Sequence, residues 1–279
     1  MGKRIGFVDL NLENFHADVY LKLLRRELQE RGFVVAGCTG LKEAESRAWA
    51  AKNEVPYFAT VAELDGHVDF YAVLAPSNPE VHEQLCGQVF PCGKATYVDK
   101  TFTPDLAAAE RLFALADRHG VAMQTSSALR YTNVQRRLAE LGGAHLRHMV
   151  AWGGGSSFGE YAIHPVELVV SCMGPEVERL MRRGTGDQSQ LLLDFWGGRT
   201  AVVNVYTKGN TPFAATLSTG AATEYVAVDS SAIFRDTAAA MLDLFASGKA
   251  AIDRHETLAI RRILDAAAEP AALERFVQL

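Results

Sequence analysis

Short apolar runs alternate with amphipathic stretches along the first half of the chain. The strand-like runs cover residues 4–8, 33–38, 69–74, 95–98 and 121–124, and the helical stretches cover 18–30, 41–52, 79–89 and a segment opened by Thr103-Pro104. Thr103 is the expected cap of that last helix, with the proline in its first turn. Such alternation predicts a parallel sheet with helices on both faces, and such sheets bind ligands at the carboxyl ends of their strands.

The second half has a different pattern, in which strand-like runs follow one another with few helices between them. Strand candidates cover residues 145–152, 177–183, 190–195, 200–207, 214–218 and 224–228, and helical stretches cover 131–141, 233–246 and 256–268. Gly197-Gly198, between two of the runs, is a strong signal for a hairpin turn. The whole pattern predicts an α/β protein: a Rossmann-like, doubly wound domain at 1–125 and an α+β domain at 126–279 with an open, largely antiparallel sheet.

Composition limits the classes of partner. Of the 279 residues, 48% are apolar and 22% are charged, and the net charge of −5 argues against nucleic acid or an anionic membrane as a partner. No apolar stretch approaches the roughly 20 residues that span a bilayer, and no signal-peptide core is visible, so we expect a cytoplasmic protein. The four cysteines, Cys38, Cys86, Cys92 and Cys172, include no CxxC pair, which predicts free thiols and no metal site.

Two short segments carry the candidate chemistry. Asp99-Lys100-Thr101 follows a strand-like run and places a single lysine at its carboxyl end, while Glu160, His164 and Glu167 place a histidine between two carboxylates. A lysine and a histidine brought together in a cleft form a proton-transfer pair for an alcohol or carbonyl substrate, since histidine titrates near neutral pH. His164 and Glu167 should share one face of a helix.

These segments occur in an order typical of a known family. The chain resembles the glucose–fructose oxidoreductase/inositol dehydrogenase (Gfo/Idh/MocA) family over nearly its whole length: a parallel sheet, the lysine segment, a histidine-bearing segment and an antiparallel sheet. Asp99-Lys100-Thr101 is similar to the family's Glu-Lys-Pro motif. Pro76-Ser77-Asn78 and His82 are similar to its proline–asparagine turn and following histidine, although His82 is expected to be structural.

The histidine segment resembles the family's Asp-x-x-x-His-x-x-Asp pattern, with both carboxylates lengthened by one methylene in Glu160 and Glu167. The resemblance implies that Lys100 lies near the reacting hydroxyl and the nicotinamide ring. It also implies that His164 accepts the proton of the carbinol oxygen during oxidation, and that Glu160 orients the substrate or shares the proton transfer. Further substrate contacts are expected from a polar set, namely Arg130, Tyr131, Tyr161 and Glu167.

The segment expected to bind the cofactor departs from the family. A dinucleotide-binding loop has the form Gly-x-Gly-x-x-Gly, since its glycines allow a tight turn and close approach to the pyrophosphate. Residues 7–17 contain no glycine, and Asp9 and Glu13 stand where a phosphate favours donors and positive charge. Thr39 and Lys42 suit a 2′-phosphate, which favours NADP over NAD. The candidate cofactor contacts are Asp9, Asn11, Thr39, Pro76, Asn78 and Asp99.

The function predicted from these observations is that of an oxidoreductase, an enzyme that transfers a hydride between NAD or NADP and a sugar, polyol or cyclic alcohol. By the same resemblance, the second domain binds substrate and forms a homodimer or homotetramer through its sheet. The glycine-free loop leaves two alternatives open. One is a non-redox, sugar-binding or regulatory protein, and the other is a lyase or hydrolase that uses Glu160 and His164 as an acid/base pair.

The candidate residues also have structural interpretations. Lys100 can be a solvated strand-end lysine, His164 a structural histidine, and Glu160 and Glu167 acids that favour the start of a helix through its dipole. The run Gly153-Gly154-Gly155-Ser156-Ser157 is either a plain loop or a mobile flap over the cleft.

Overall fold

The computed structural model describes residues 3–142 and 146–279. These divide into two compact units, residues up to 126 with 234–253, and residues 127–233 with 254–279. The division expected from the sequence placed 234–253 in the second domain. The difference arises because the helix bearing Met241, Leu242 and Phe245 packs in the hydrophobic core of the first unit.

The elements follow the predicted alternation closely. In chain order the strands are β1 (Arg4–Asp9), β2 (Val34–Gly40), β3 (Phe70–Val73), β4 (Thr96–Asp99), β5 (Met123–Ser126), β6 (His148–Gly154), β7 (Val177–Arg183), β8 (Gln188–Phe195), β9 (Arg199–Tyr206), β10 (Ala214–Ser218), β11 (Thr223–Ala227) and β12 (Val277–Gln278). The helices are α1 (Phe15–Arg25), α2 (Glu43–Lys52), α3 (Val61–Asp65), α4 (His82–Val89), α5 (Leu106–Arg118), α6 (Asn133–Glu140), α7 (Phe158–Tyr161), α8 (Ile163–Met173), α9 (Ile233–Ser247), α10 (Arg254–Ala268) and α11 (Ala271–Glu274).

The sheet of the first unit has the strand order β2-β1-β3-β4-β5, and its paired strands are parallel. The order runs outwards from β1 in both directions, which confirms the doubly wound sheet. All five carboxyl ends therefore lie along one edge. On one face the rings of Phe70 and Phe245 stack at 4.9 Å between centroids, and Phe33 packs beside both, which fixes α9 against this sheet.

Capping side chains explain two helix starts that differ from the expected ones. α1 begins earlier than the predicted residue 18, because Asn14 caps its first amides. Asp105, rather than Thr103, caps α5, since its carboxylate accepts a hydrogen bond from the Ala108 amide at 2.7 Å. The expectation that Thr103 caps this helix is therefore wrong.

The sheet of the second unit has the order β11-β10-β6-β9-β8-β7-β12. Only β6 and β9 form a parallel pair among the strands described, so the sheet is largely antiparallel, as predicted. Gly197 and Gly198, with φ of 78° and 72°, form the turn between β8 and β9, a conformation that glycine adopts without steric cost. The expected strand at 145–152 is β6, although residue 145 lies outside the described residues.

The two faces of this second sheet differ in burial. Helix α8 packs against β6 and β9, and α10 and α11 pack against β7. Paired positions on the other face form a row across the sheet that is only half-buried or exposed: Met181, Leu192, Val202, Val150, Thr216 and Tyr225. Within the described part of the chain, no helix has the length and apolar character needed to cross a membrane.

Candidate functional site

The carboxyl end of β4 holds the predicted lysine. Lys100 is buried, and its Nζ donates a hydrogen bond to the Pro76 carbonyl at 3.2 Å. Asp99, fully buried, accepts from the Lys100 amide at 2.8 Å and pairs with Nδ1 of His16 at 2.5 Å. Lys100 is therefore held in place by the protein at the ligand-binding edge, and it does not extend into solvent as a surface lysine would.

The loop after β3 meets the same edge. Pro76 contributes its carbonyl to Lys100, whereas Asn78 Nδ2 donates to Glu80 Oε1 at 2.9 Å. His82 is fully buried, with Nδ1 2.8 Å from the Phe102 carbonyl and Nε2 2.7 Å from the Leu74 carbonyl. It joins the loops that follow β3 and β4, which is a structural role.

The loop between β1 and α1 closes on its own polar groups. The buried Asp9 side chain accepts hydrogen bonds from the Asn11 amide at 3.1 Å and from Asn14 Nδ2 at 2.9 Å. The side-chain oxygen of Asn14 in turn accepts from the amides of His16 and Ala17. One carboxylate and one amide side chain thus shape the whole turn that a glycine-rich loop would otherwise form.

A bound pyrophosphate needs hydrogen-bond donors. In this loop, backbone amides that could donate to it already donate to oxygens of the protein. In a glycine-rich loop those donors are backbone amides and the N-terminus of the following helix. Here the loop amides that donate to oxygens of the protein itself are those of Asn11, Leu12, Glu13, Asn14, His16 and Ala17. The residues present do not fit a pyrophosphate held in the manner of a glycine-rich loop. The side chains of Asp9 and Asn11 form hydrogen bonds within the loop, so a contact of either with the cofactor's pyrophosphate is not supported by this geometry.

Burial disfavours the ionised form of the Asp9 carboxyl group. Burial raises its pKa from an ordinary 3.8 to about 6, against the opposing hydrogen bonds from Ala75, Asn14 and Asn11. The nearby carboxylate of Asp99 raises the pKa further. At neutral pH the loop therefore carries a buried negative charge where the family's cofactor has its phosphates.

A cavity of about 260 Å³ lies beside the carboxyl ends of β1 and β2. Two predicted cofactor contacts, Asp9 and Thr39, line it together with Tyr57 and Glu43. The Tyr57 hydroxyl donates to the Gly40 carbonyl at 3.4 Å, and Arg47 lies over its ring at 4.4 Å from the centroid. Glu43 was not among the predicted residues, although its position three residues after β2 is where an acid can meet a ribose.

In the second unit, the predicted catalytic histidine has a serine partner. His164 Nδ1 and Ser127 Oγ lie 2.7 Å apart, and Ser127 is fully buried. Ser127 Oγ also accepts a hydrogen bond from the Leu129 amide at 3.2 Å. Ser127 was not among the residues predicted from the sequence, and the available signal was its place directly after β5.

Glu167 binds Ser127 and Arg130. Its two oxygens accept from the Ser127 amide at 2.7 Å and from Arg130 Nε at 2.8 Å. Arg130 Nη1 donates to Glu256 at 2.6 Å. Burial raises the pKa of Glu167 while Arg130 opposes the rise, and the two carboxylates raise the pKa of Arg130 although burial lowers it. Arg130 and Glu167 form a buried ion pair, so their predicted substrate contact is not supported by this geometry.

The remaining predicted residues lie on α7 and the turn before α6. Glu160 is partly exposed, and its carboxylate accepts from Ser156 Oγ at 2.7 Å. Tyr131 ends a short helical turn, with its amide donating to Ala128. The ring of Tyr161 lies 5.6 Å from that of His164, so these two predicted residues come together.

Two glycines of the run pack against the aromatic rings that lie beside His164. Gly153 and Gly154 belong to β6, and a Cβ on Gly155 would collide with the ring of Tyr161. A Cβ on Gly153 would lie 2.9 Å from the ring of Phe213, whose centroid is 6.0 Å from that of His164. The three glycines of the run are therefore closely packed at the end of β6, whereas Ser156 and Ser157 are exposed.

The arrangement defines a class of protein. The fold combines a Rossmann-like, doubly wound unit with a second, sheet-forming unit. Residues 10–127 match the model of the oxidoreductase family described as having an NAD-binding Rossmann fold. This segment of the first unit is thus similar to the Gfo/Idh/MocA family, in agreement with the resemblance found in the sequence. No curated protein matches the chain.

Solved structures share the whole architecture. A probable dehydrogenase from Thermotoga maritima has a TM-score of 0.83 at 14% identity, over 99% of this chain and 98% of that one. An apo scyllo-inositol dehydrogenase from Lactobacillus casei has a TM-score of 0.81 at 14% identity, over 100% and 99%. A myo-inositol 2-dehydrogenase from Lactobacillus plantarum has a TM-score of 0.82 at 12% identity, over 100% of both chains. At such identities the likeness shows the fold.

The free energy of unfolding should depend on the raised pKa of Asp9. Between its ordinary pKa of 3.8 and about 6, the folded chain binds more protons at this carboxyl than the unfolded chain, so its contribution to stability falls as pH rises. We expect the free energy of unfolding of Asp9→Asn, relative to wild type, to rise by about 2 kcal/mol between about pH 4 and pH 6. Urea unfolding across this pH range measures the difference.

Glu13→Gln is the matched control, since Glu13 is exposed in the same loop. Its stability should follow the wild-type curve. An Asp9→Asn curve parallel to that of the wild type would contradict the assignment.

Proposed function

We propose that this protein is an NAD(P)-dependent oxidoreductase acting on a hydroxyl group of a sugar, polyol or cyclic alcohol. The observation that carries the proposal is the buried Lys100, held at the carboxyl end of β4 within the segment that matches the oxidoreductase family. The inositol dehydrogenases among the similar structures support the substrate class. A nicotinamide cofactor supplies the hydride acceptor or donor in such enzymes.

Lys100 acts on the substrate oxygen in this proposal. Its ammonium group keeps one hydrogen bond to the Pro76 carbonyl at 3.2 Å, which fixes the direction of the side chain. A positive charge in a buried setting stabilises an alkoxide more strongly than it would in water. Lys100 therefore lowers the pKa of the substrate hydroxyl and stabilises the negative charge that develops on its oxygen.

His164 takes the proton from that hydroxyl. Ser127 Oγ accepts from the Leu129 amide, and it has a second lone pair for a proton on His164 Nδ1. This tautomer leaves Nε2 as the basic nitrogen. The amide of Ser127 is itself fixed by Glu167, so a buried chain of hydrogen bonds from Arg130 sets the orientation of the imidazole.

Two aromatic rings lie beside the imidazole of His164. Tyr161 and Phe213 have ring centroids 5.6 and 6.0 Å from that of His164. Aromatic faces pack well against the apolar faces of a cyclic alcohol, while its hydroxyls are left for polar partners. Tyr161 and Glu160 are the predicted polar partners in this unit, and they remain part of the proposal.

The second sheet supports a homo-oligomer. Its open face carries a row of half-buried apolar side chains, among them Leu192, Val202 and Val150, which are paired neighbours on adjacent strands. A continuous apolar row of this kind is typical of a protein–protein interface. We propose that a homodimer or homotetramer forms through this face. A cytoplasmic location, expected from the sequence, stays a prediction.

Lys100→Met should abolish turnover with little loss of fold, since methionine keeps an apolar side chain of similar length while removing the charge. We expect kcat to fall roughly 10²–10⁴-fold. Formation of reduced nicotinamide from NAD⁺ or NADP⁺ with a panel of inositols and sugars measures it. Lys52→Met, at an exposed position at the end of α2, is the control. Equal activity in both variants, or no turnover by the wild type on any substrate, would count against the proposal.

Ser127→Ala should reduce kcat about tenfold through the loss of one hydrogen bond to His164. The pH profile of kcat should shift at the same time, because the tautomer and basicity of the imidazole are no longer set by Oγ. Ser127→Thr, which keeps the hydroxyl, should retain the wild-type profile. A loss of kcat that is equal at every pH, with no change in the shape of the pH profile, would indicate a purely structural role.

Val202→Glu should convert the oligomer to monomers, because a charge in the middle of the apolar row is costly to bury. Light scattering coupled to size-exclusion chromatography measures the mass. Gln188→Glu, at an exposed end of β8, is the control and should leave the mass unchanged. A monomeric wild type would disprove this part of the proposal.

A further inference from the structure

The loop after β3 contains a residue in an unfavourable backbone conformation. Ala75 has a φ of 49°, and in the part of the chain that the structure describes only Glu54 is likewise a non-glycine residue with positive φ. The left-handed region is unfavourable for a residue with a Cβ, because that atom crowds the carbonyl oxygen that follows. A following proline, here Pro76, favours extended backbone instead. The conformation of Ala75 therefore persists only where surrounding contacts hold it.

Asp9 supplies a contact to the left-handed residue itself. The amide of Ala75 donates a hydrogen bond to the buried carboxylate of Asp9, the last residue of β1. On either side of that amide the backbone is also bound: the Leu74 carbonyl lies 2.7 Å from His82 Nε2, and the Ala75 carbonyl accepts from the Asn78 amide at 3.0 Å. The backbone of the loop after β3 is thus fixed to a carboxylate that belongs to another loop.

The residue after Ala75 contacts the candidate catalytic lysine. The carbonyl of Pro76 accepts a hydrogen bond from Lys100 Nζ at 3.2 Å. Because the ring of a proline fixes its φ near about −65°, the direction in which this carbonyl points depends on the conformation of Ala75 before it. Asp9 is therefore joined to Lys100 by one hydrogen bond to the Ala75 amide, a short piece of backbone, and one hydrogen bond from the ammonium group.

Asp9 is suited to hold the loop because it is buried and ionised at neutral pH. Hydrogen bonds to an ionised acceptor are roughly twice as strong as those between neutral groups. The Asn11 amide at 3.1 Å and Asn14 Nδ2 at 2.9 Å fix the carboxylate from the side of its own loop. The carboxylate is thus a fixed acceptor against which the loop after β3 is placed.

We propose that Asp9 is a positioning residue for Lys100, acting through the left-handed Ala75 and the carbonyl of Pro76. The inference rests on the proposed function for the action of Lys100 on the substrate oxygen. Asp9 itself does not act on the substrate: it holds the backbone that presents the Pro76 carbonyl, and this carbonyl fixes the ammonium group. Ala75→Gly makes the carboxylate less necessary, because glycine adopts a positive φ without steric cost.

Steady-state kinetics with the inositols and sugars of the turnover assay test this path. Asp9→Ala should lower kcat about tenfold and change KM little, because Lys100 acts on the charge that develops in the transition state. With Ala75→Gly already present, the same substitution should lower kcat only about twofold. Glu54→Gly is the matched control, since it relieves the other positive φ at an exposed site, and it should leave the tenfold loss unchanged.

Acetylation of Lys100 by sulfo-N-hydroxysuccinimide acetate gives a second measurement that needs no turnover. Mass spectrometry follows its rate, with the exposed Lys52 of the same chain as the internal standard. Asp9→Ala should raise the rate at Lys100 about fivefold, because the ammonium group loses its fixed acceptor, and Ala75→Gly should remove most of that rise. Asp9→Asn, which keeps one oxygen acceptor, should raise the rate less, and it takes the place of Asp9→Ala if the alanine variant does not fold.

The two proposals can fail independently. A wild-type chain that oxidises no hydroxylated substrate, but whose Lys100 is acetylated as expected in the variants, contradicts the proposed function alone. Turnover of a polyol together with unchanged acetylation of Lys100 in Asp9→Ala contradicts only the positioning role. A rise in acetylation that Glu54→Gly removes as fully as Ala75→Gly overturns the path through Ala75.

Discussion

The buried carboxylate of Asp9 needs donors, and meeting that need shapes the ligand-binding edge of the first unit. A charge removed from water is tolerated only with hydrogen bonds, and Asp9 obtains them from Asn11 and Asn14. Asn14 then caps α1, which fixes where that helix begins. The turn between β1 and α1 thus follows from one acid and its partners, without the conformational freedom of glycine. The same contacts take up the donors that a phosphate would use.

A second buried acid has the corresponding role in the other unit. Glu167 accepts from the amide of Ser127 and from Arg130, and thereby joins the start of this unit to α8. Removing one partner of such a pair leaves a buried charge unpaired, which is far more costly than losing a surface ion pair. The orientation of the His164 ring depends on this pair through Ser127. Charge compensation and the geometry of the candidate site are therefore linked.

The architecture could be predicted from the sequence because period and order are local properties. The apolar runs marked β1 to β5 and most strands of the second sheet, and the order of the lysine and histidine segments indicated the family. The contacts of the site could not be predicted in the same way. Glu167 and Arg130 lie 37 positions apart along the chain, and so do Ser127 and His164. Spacing on one helix placed Glu167 beside His164, whereas tertiary packing directed it to Arg130.

The placement of α9 has a consequence for synthesis of the chain. Met241, Leu242 and Phe245 complete the core of a unit whose sheet ends at Ser126, so roughly 120 residues must be translated before that core can close. At about 5–20 residues per second, this delay lasts on the order of 6–24 s. During that interval the apolar surface around Phe33 and Phe70 has no covering helix on the ribosome. Apolar surface exposed during synthesis in this way favours aggregation of the nascent chain.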